Sequence, residues 1–248
     1  MLDQALLLEK TTHVLTGTYD FQKLAQQAVD LIVREQSADS LISAAIFRAY
    51  PEKNEIRAYA YSTKRFRKMV DMLLPTRFEN LSGPLTWTDN LTVQTYVKNQ
   101  MQHSTRLFDF CTHVLSESVA SKIQKLLKVG STLTVPIPLK SGKVAGVFMW
   151  TSPQEKVSVV ELNLIQTFAH QLGLAFSNVF AFERLMHSYK NNIDGESLTK
   201  SETRTPSVKF TLRITPKQLS MLEAKAKQTQ KTKADLIREL LDKENALA

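Results

Sequence analysis

Three side chains with chemistry of their own recur at every second position near the end of the chain: Lys209, Thr211 and Arg213. Val208, Phe210, Leu212 and Ile214 fill the alternate positions. Successive side chains of a β-strand point to opposite faces, so the run predicts one half-buried strand with a cationic, hydroxyl-bearing face. Ammonium and guanidinium groups can donate to guanine acceptors, and a threonine can reach a base edge or a thymine methyl. Paired with the same strand of a second copy, this face would form a two-stranded ribbon of a size that fits a DNA major groove.

The elements that would hold such a ribbon follow directly. Thr215-Pro216 ends the strand and opens a helix, with Thr as N-cap and Pro at the first helical position, where its missing N–H costs nothing. Leu219, Leu222 and Ala226 give that helix an apolar stripe. A second helix starts at Thr232, whose partner Asp235 stands three residues on, and continues through Leu236, Ile237, Leu240 and Leu241. One strand and two helices bury too little surface to be stable alone, since a chain below about 40 residues usually needs a disulfide, a metal or a partner. A second copy of the same chain supplies the missing half.

Residues 207–243 resemble a ribbon-helix-helix DNA-binding domain of the Arc/MetJ type. The resemblance implies double-stranded DNA as partner and a homodimer as the binding unit. It also implies base contacts by Lys209, Thr211 and Arg213, and phosphate contacts at the second helix's N-terminus, near Thr232 and Lys233. Free N–H groups and a partial positive charge at that position suit an anion. Gln230-Lys231 lacks the glycine often found between the family's helices. The competing reading of the same residues is a solvated strand edge and a tail for oligomerisation or protein docking.

Composition bounds the rest. With 248 residues, 43% of them hydrophobic, the chain has the size and apolar content of one large or two ordinary globular domains. The formal net charge is +8, and residues 207–248 hold nine Lys/Arg against five Asp/Glu, so half of the excess lies in that short segment. A local excess of this kind favours a polyanionic partner. The single cysteine, Cys111, excludes an intramolecular disulfide and a cysteine-rich zinc site. No apolar run approaches the ~20 residues of a membrane span, and Asp3 and Glu9 stand where a signal peptide would be basic. The expectation is a cytoplasmic protein without a membrane partner.

Upstream, the pattern predicts an α+β fold: an antiparallel sheet with flanking helices. Residues 1–35 read as two helices broken near Gly17, the second capped by Asp20 and striped by Leu24, Ala28, Leu31 and Ile32. Residues 41–50 and 56–61 form a hairpin around Pro51-Glu52-Lys53-Asn54-Glu55, and residues 131–139 and 144–151 form another around Ser141-Gly142. Between them, Leu85-Thr86-Trp87 reads as a short strand, and residues 91–99 and 116–128 as helices. The cluster Lys64-Arg65-Phe66-Arg67-Lys68 reads as a solvated helix start, with a second nucleic-acid contact as the rarer alternative. A long helix then runs over residues 157–186. Ile165, Leu172, Val179 and Met186 recur every seven residues, with Phe168, Ala175 and Phe182 between them, which predicts a dimer seam. Residues 187–206 read as a flexible linker, dividing the chain into 1–186, 187–206 and 207–248.

Residues 15–185 resemble a GAF domain. The carrying segments are Tyr19-Asp20-Phe21-Gln22-Lys23-Leu24, Thr132-Leu133-Thr134-Val135-Pro136-Ile137 and Gly142-Lys143-Val144-Ala145-Gly146-Val147. The resemblance implies a pocket between the sheet and the middle segment, a small-molecule ligand that the sequence does not name, and dimerisation through terminal helices. Bilin-binding members attach their chromophore at a Cys followed directly by His, whereas Thr112 separates Cys111 from His113. An inert buried thiol is therefore expected. With one cysteine, the sulfoxide-reductase reaction of other members cannot resolve its intermediate as an internal disulfide. Trp87, Tyr96, Phe108, Phe110, Phe148 and Trp150 could line a pocket but fit a core better. No phosphate loop, nucleophile elbow or zinc motif is present, and His13, His103, His113, His170 and His187 are scattered. The sequence thus predicts no catalytic residue, metal or cofactor. It predicts a dimeric DNA-binding regulator with a sensing or dimerising domain, against the alternative of a ligand-binding signalling protein with a docking tail.

Overall fold

The computed structural model describes Thr18 and residues 20–37, 39–195, 216–229 and 232. The chain divides into two compact units, residues 1–197 and 198–248.

In the first unit, Asp20 caps helix α1 (Phe21–Glu35) as its spacing predicts, accepting from the Lys23 amide at 2.8 Å. The residues Leu24, Ala25, Ala28, Val29 and Ile32 on its inner face are fully buried. Strands β1 (Ser43–Tyr50) and β2 (Glu55–Thr63) form the first hairpin. Its turn closes on Asn54 in the left-handed region, φ 51°, a conformation asparagine tolerates better than most residues. Helix α2 (Arg67–Leu73), strand β3 (Ser82–Pro84), helix α3 (Leu91–Lys98), strand β4 (Gln102–Ser104) and helices α4 (Phe108–Cys111) and α5 (Glu117–Leu127) follow. Asn90 and Ser116 cap α3 and α5. The second hairpin joins β5 (Ser131–Pro138) to β6 (Val144–Ser152), and the unit closes with helix α6 (Val159–Gly195).

The six strands make one antiparallel sheet in the order β3-β2-β1-β6-β5-β4. Phe148 and Trp150 of β6 project toward α1 and α6, while Val147 and Met149 project to the other face. On β2 the alternation is interrupted. Ile46 pairs with Ala60 and Phe47 with Ala58, leaving Tyr59 as the extra residue of a bulge. Tyr59 and Ala60 consequently share the α1 side, and Ala58 and Tyr61 share the opposite one.

Three expectations are corrected. The middle strand lies at Ser82–Pro84, three residues before Leu85-Thr86-Trp87, which form a turn and a loop. Helix α6 continues through the first part of the expected linker, because between Gly173 and Gly195 it meets neither glycine nor proline. Gly173 itself is required by packing, since a Cβ there would stand 1.8 Å from the carbonyl oxygen of Pro138. The third correction concerns the seam. Ile165, Phe168, Leu172, Ala175 and Val179 are all buried in the chain's own core, against the sheet and α1. Phe182 is half-buried, and the Met186 side chain lies outside the described residues. A helix lying on a sheet repeats its apolar contacts at nearly the same interval as a helix in a coiled coil, so the spacing did not distinguish them. Outward, α6 presents Gln166, Thr167, His170 and Asn178.

Leu172→Ala should therefore destabilise the isolated fold by about 2–5 kcal/mol, measured by urea denaturation. A protein of unchanged stability that merely sediments more slowly would restore the seam assignment.

Candidate functional site

The sheet face turned away from α1 and α6 is incompletely filled. Ser43 and Ala45 on β1 and Ala58 on β2 are small, and opposite them stand Val70, Leu74 and Phe78 from α2 and the turn after it. Phe110 and Ile123 close the far side, and Trp87 packs its indole over Gly83, where a Cβ would meet the ring at 2.1 Å. A cavity of about 140 Å³ remains between these walls. Its position is the one expected, between the sheet and the middle segment.

None of the side chains lining the cavity is Lys, Arg, Asp, Glu or His. Its polar members are bonded within the protein. The Ser43 and Thr151 hydroxyls lie 2.6 Å apart, and Thr92 Oγ1 donates to the Phe110 carbonyl at 2.9 Å. Asn90 accepts from the Val93 amide at 3.1 Å and donates to the Thr112 carbonyl at 3.0 Å. Tyr61 donates its hydroxyl to Asp71 on α2, and the Arg67 guanidinium lies over the same ring at 4.9 Å. Burial, and then the nearby charge of Glu79, raises Asp71 above the usual carboxylate range.

Cys111 lines the cavity with its Sγ donating to the Leu107 carbonyl at 3.3 Å. Burial, and then the charge of Asp109, pushes the thiol up to about 12. The sulfur is thus a protonated, apolar wall group, without the thiolate that nucleophilic attachment requires. His113 turns outward and meets both Asp89 carboxylate oxygens at 2.9 Å, which lowers the Asp89 carboxyl below its ordinary range. Among the aromatic candidates, Trp87 and Phe110 reach the cavity, whereas Phe148 and Trp150 fill the opposite core. Tyr96 packs beside Ile56 and Val93, and Phe108 is half-buried under Arg106.

In the cationic cluster that leads into α2, Lys64 and Arg67 are held by local contacts. Lys64 donates to the carbonyls of Val33 and Gln36, each at 2.5 Å, and so closes the C-terminal end of α1. Helix α2 contributes little to the core: Val70 is its one buried side chain, and Met69 and Met72 are exposed.

In the second unit, helix α7 (Pro216–Thr229) starts at the proline that the sequence marks as a helix start. Lys209, Thr211, Arg213 and Lys233 lie outside the described residues, and Thr232 is exposed. Among the described residues no group of three His, Cys, Asp or Glu could hold a metal, and no helix is long and apolar enough to cross a membrane.

No protein-family model and no curated protein matches the chain. Solved structures do. A GAF domain from a Coxiella burnetii phosphoenolpyruvate-protein phosphotransferase superposes with a TM-score of 0.53 at 12% identity, over 73% of this chain and 96% of that one. Residues 122 to 287 of a methyl-accepting chemotaxis protein give 0.51 at 14% identity, over 69% and 98%. The corresponding GAF domain from Acinetobacter gives 0.50 at 16% identity, over 76% and 97%. The fold is that of a GAF domain. At these identities the likeness establishes the architecture of the first unit alone, an α+β sheet with helices on both faces.

The state of Cys111 is checked by thiol labelling. At pH 8 the native protein should react with a disulfide reagent at least about tenfold more slowly than the denatured chain. Equal rates would contradict a thiol held protonated by its surroundings. Because the folded state raises the thiol from 9.0 to about 12, its contribution to stability is full below pH 9.0 and is lost as pH rises toward about 12.

Proposed function

We propose that the chain is a dimeric, sequence-specific DNA-binding regulator whose GAF-fold domain senses a small molecule. The observation that carries the sensing half is the cavity. Close-packed cores leave few voids larger than a water molecule, yet here small residues on two adjacent strands face a layer that does not reach them. The arrangement supports binding in preference to catalysis, because its wall offers bonded hydroxyls and a protonated thiol to whatever enters.

The DNA-binding half rests on the alternating strand with Lys209, Thr211 and Arg213, the Thr215-Pro216 helix start and the local excess of positive charge. Helix α7 is consistent with the first helix of a ribbon-helix-helix module. In this reading two chains pair through their C-terminal strands, which close a shared core that one tail cannot form alone. A ligand would act by binding one arrangement of the dimer more tightly than another.

Genome-wide mapping of bound DNA with the intact protein should return a shared sequence motif. On that motif Arg213→Ala should cost about 1–3 kcal/mol at a fixed salt concentration and relax the preference at one base. Equal binding by the wild type and a Lys209→Ala/Arg213→Ala protein would assign the module to oligomerisation or protein docking instead.

A further inference from the structure

The sensing reading leaves the ligand unnamed, and the cavity wall narrows its class. We infer that it takes an uncharged, apolar molecule the size of a single aromatic ring, about six to ten non-hydrogen atoms. This inference rests on the proposed sensing role and specifies its ligand.

Charge decides first. A phosphate, carboxylate or ammonium entering this space would leave water without meeting a counter-ion, since no Lys, Arg, His, Asp or Glu lines the wall. Burying an unpaired charge in that way is far more costly than burying an apolar surface. Polarity decides next. Three buried side-chain polar atoms among the described residues lack a partner, Gln36 Nε2, Thr132 Oγ1 and Trp150 Nε1, and none belongs to a residue lining the cavity. The hydroxyls of Ser43, Thr92 and Thr151 and the amide of Asn90 are turned into the protein's own hydrogen bonds. A polar ligand would have to compete with those bonds, and a water molecule would find few of the two to four partners it needs.

Size and shape decide last. A cavity of about 140 Å³ resembles in volume the dry apolar cavity of about 150 Å³ that takes up benzene in another protein. Aromatic rings form much of the wall. Tyr61 and Phe78 lie 4.6 Å apart between centroids, Phe47 and Phe78 5.9 Å apart, and Trp87 and Phe110 complete the surround. A flat ring inserted there regains the dispersion contacts that the small side chains of Ala45 and Ala58 leave unmade.

The test uses the full chain, labelled with nitrogen-15 and titrated separately with toluene, benzoate and adenosine monophosphate. Toluene should shift the amides around Ala45, Ala58 and Met149 saturably, with the two anions at least about tenfold weaker. Ala45→Leu and Ala58→Leu, each filling the cavity from a different strand, should abolish the toluene response in whichever protein keeps native dispersion. Tighter binding of benzoate or adenosine monophosphate at the same amides would overturn the ligand class and leave the sensing role standing. A toluene response that survives both substitutions would remove the ligand from the cavity. No response at these amides to any of the three probes would overturn the sensing role as well.

Discussion

Strand β6 is buried on both of its faces, and that single constraint organises the first unit. Phe148 and Trp150 on one side and Val147 and Met149 on the other must all be kept from water. One helical layer cannot do this, so the chain supplies two. Helices α1 and α6 cover one face with long apolar side chains at helical spacing, and α2 to α5 cover the other with short elements. The asymmetry between the layers is what makes a site. Long amphipathic helices can match a sheet side chain for side chain, whereas α2, anchored by Val70, and α4, a single turn, meet it at fewer points. Where their reach ends opposite Ala45 and Ala58, space is left.

In the packed layer one cation gathers several aromatic and charged contacts. The Arg48 guanidinium on β1 lies 4.5 Å from the Phe21 ring centroid and 4.6 Å from that of Phe180, and it approaches Glu183 at 3.5 Å. It thereby ties α1, β1 and α6 together at one end of the core. Exposed ion pairs are worth little singly, but a cation held between two rings and a carboxylate fixes geometry. On the cavity side Tyr61 of β2 meets two groups of α2, donating to Asp71 and lying under the Arg67 guanidinium.

Much of this was legible in the sequence where the controlling interaction is local. The cap at Asp20, both hairpin turns and the boundaries of α3 and α5 follow from residues within a few positions of one another. The seven-residue recurrence from Ile165 was read correctly as an apolar stripe and wrongly as a seam, because periodicity identifies the buried face without naming what covers it. Strand β4 and helix α4 were missed, since three or four residues are too few to establish a period. The cavity could not be read at all. It is a difference in volume among Ala45, Ala58, Gly83 and a helical layer far away in sequence, and each of those small residues is unremarkable in its own strand.

The account's central claim is that one face of the sheet is filled and the other is left open by design of its side chains. Xenon, an uncharged sphere that binds apolar cavities without hydrogen bonds, tests this most directly. A crystal of the protein pressurised with the gas should show it between Ala45, Ala58 and Phe110, and nowhere between the sheet and α6. Xenon on the α6 side, or none beside Ala45 and Ala58, would contradict it.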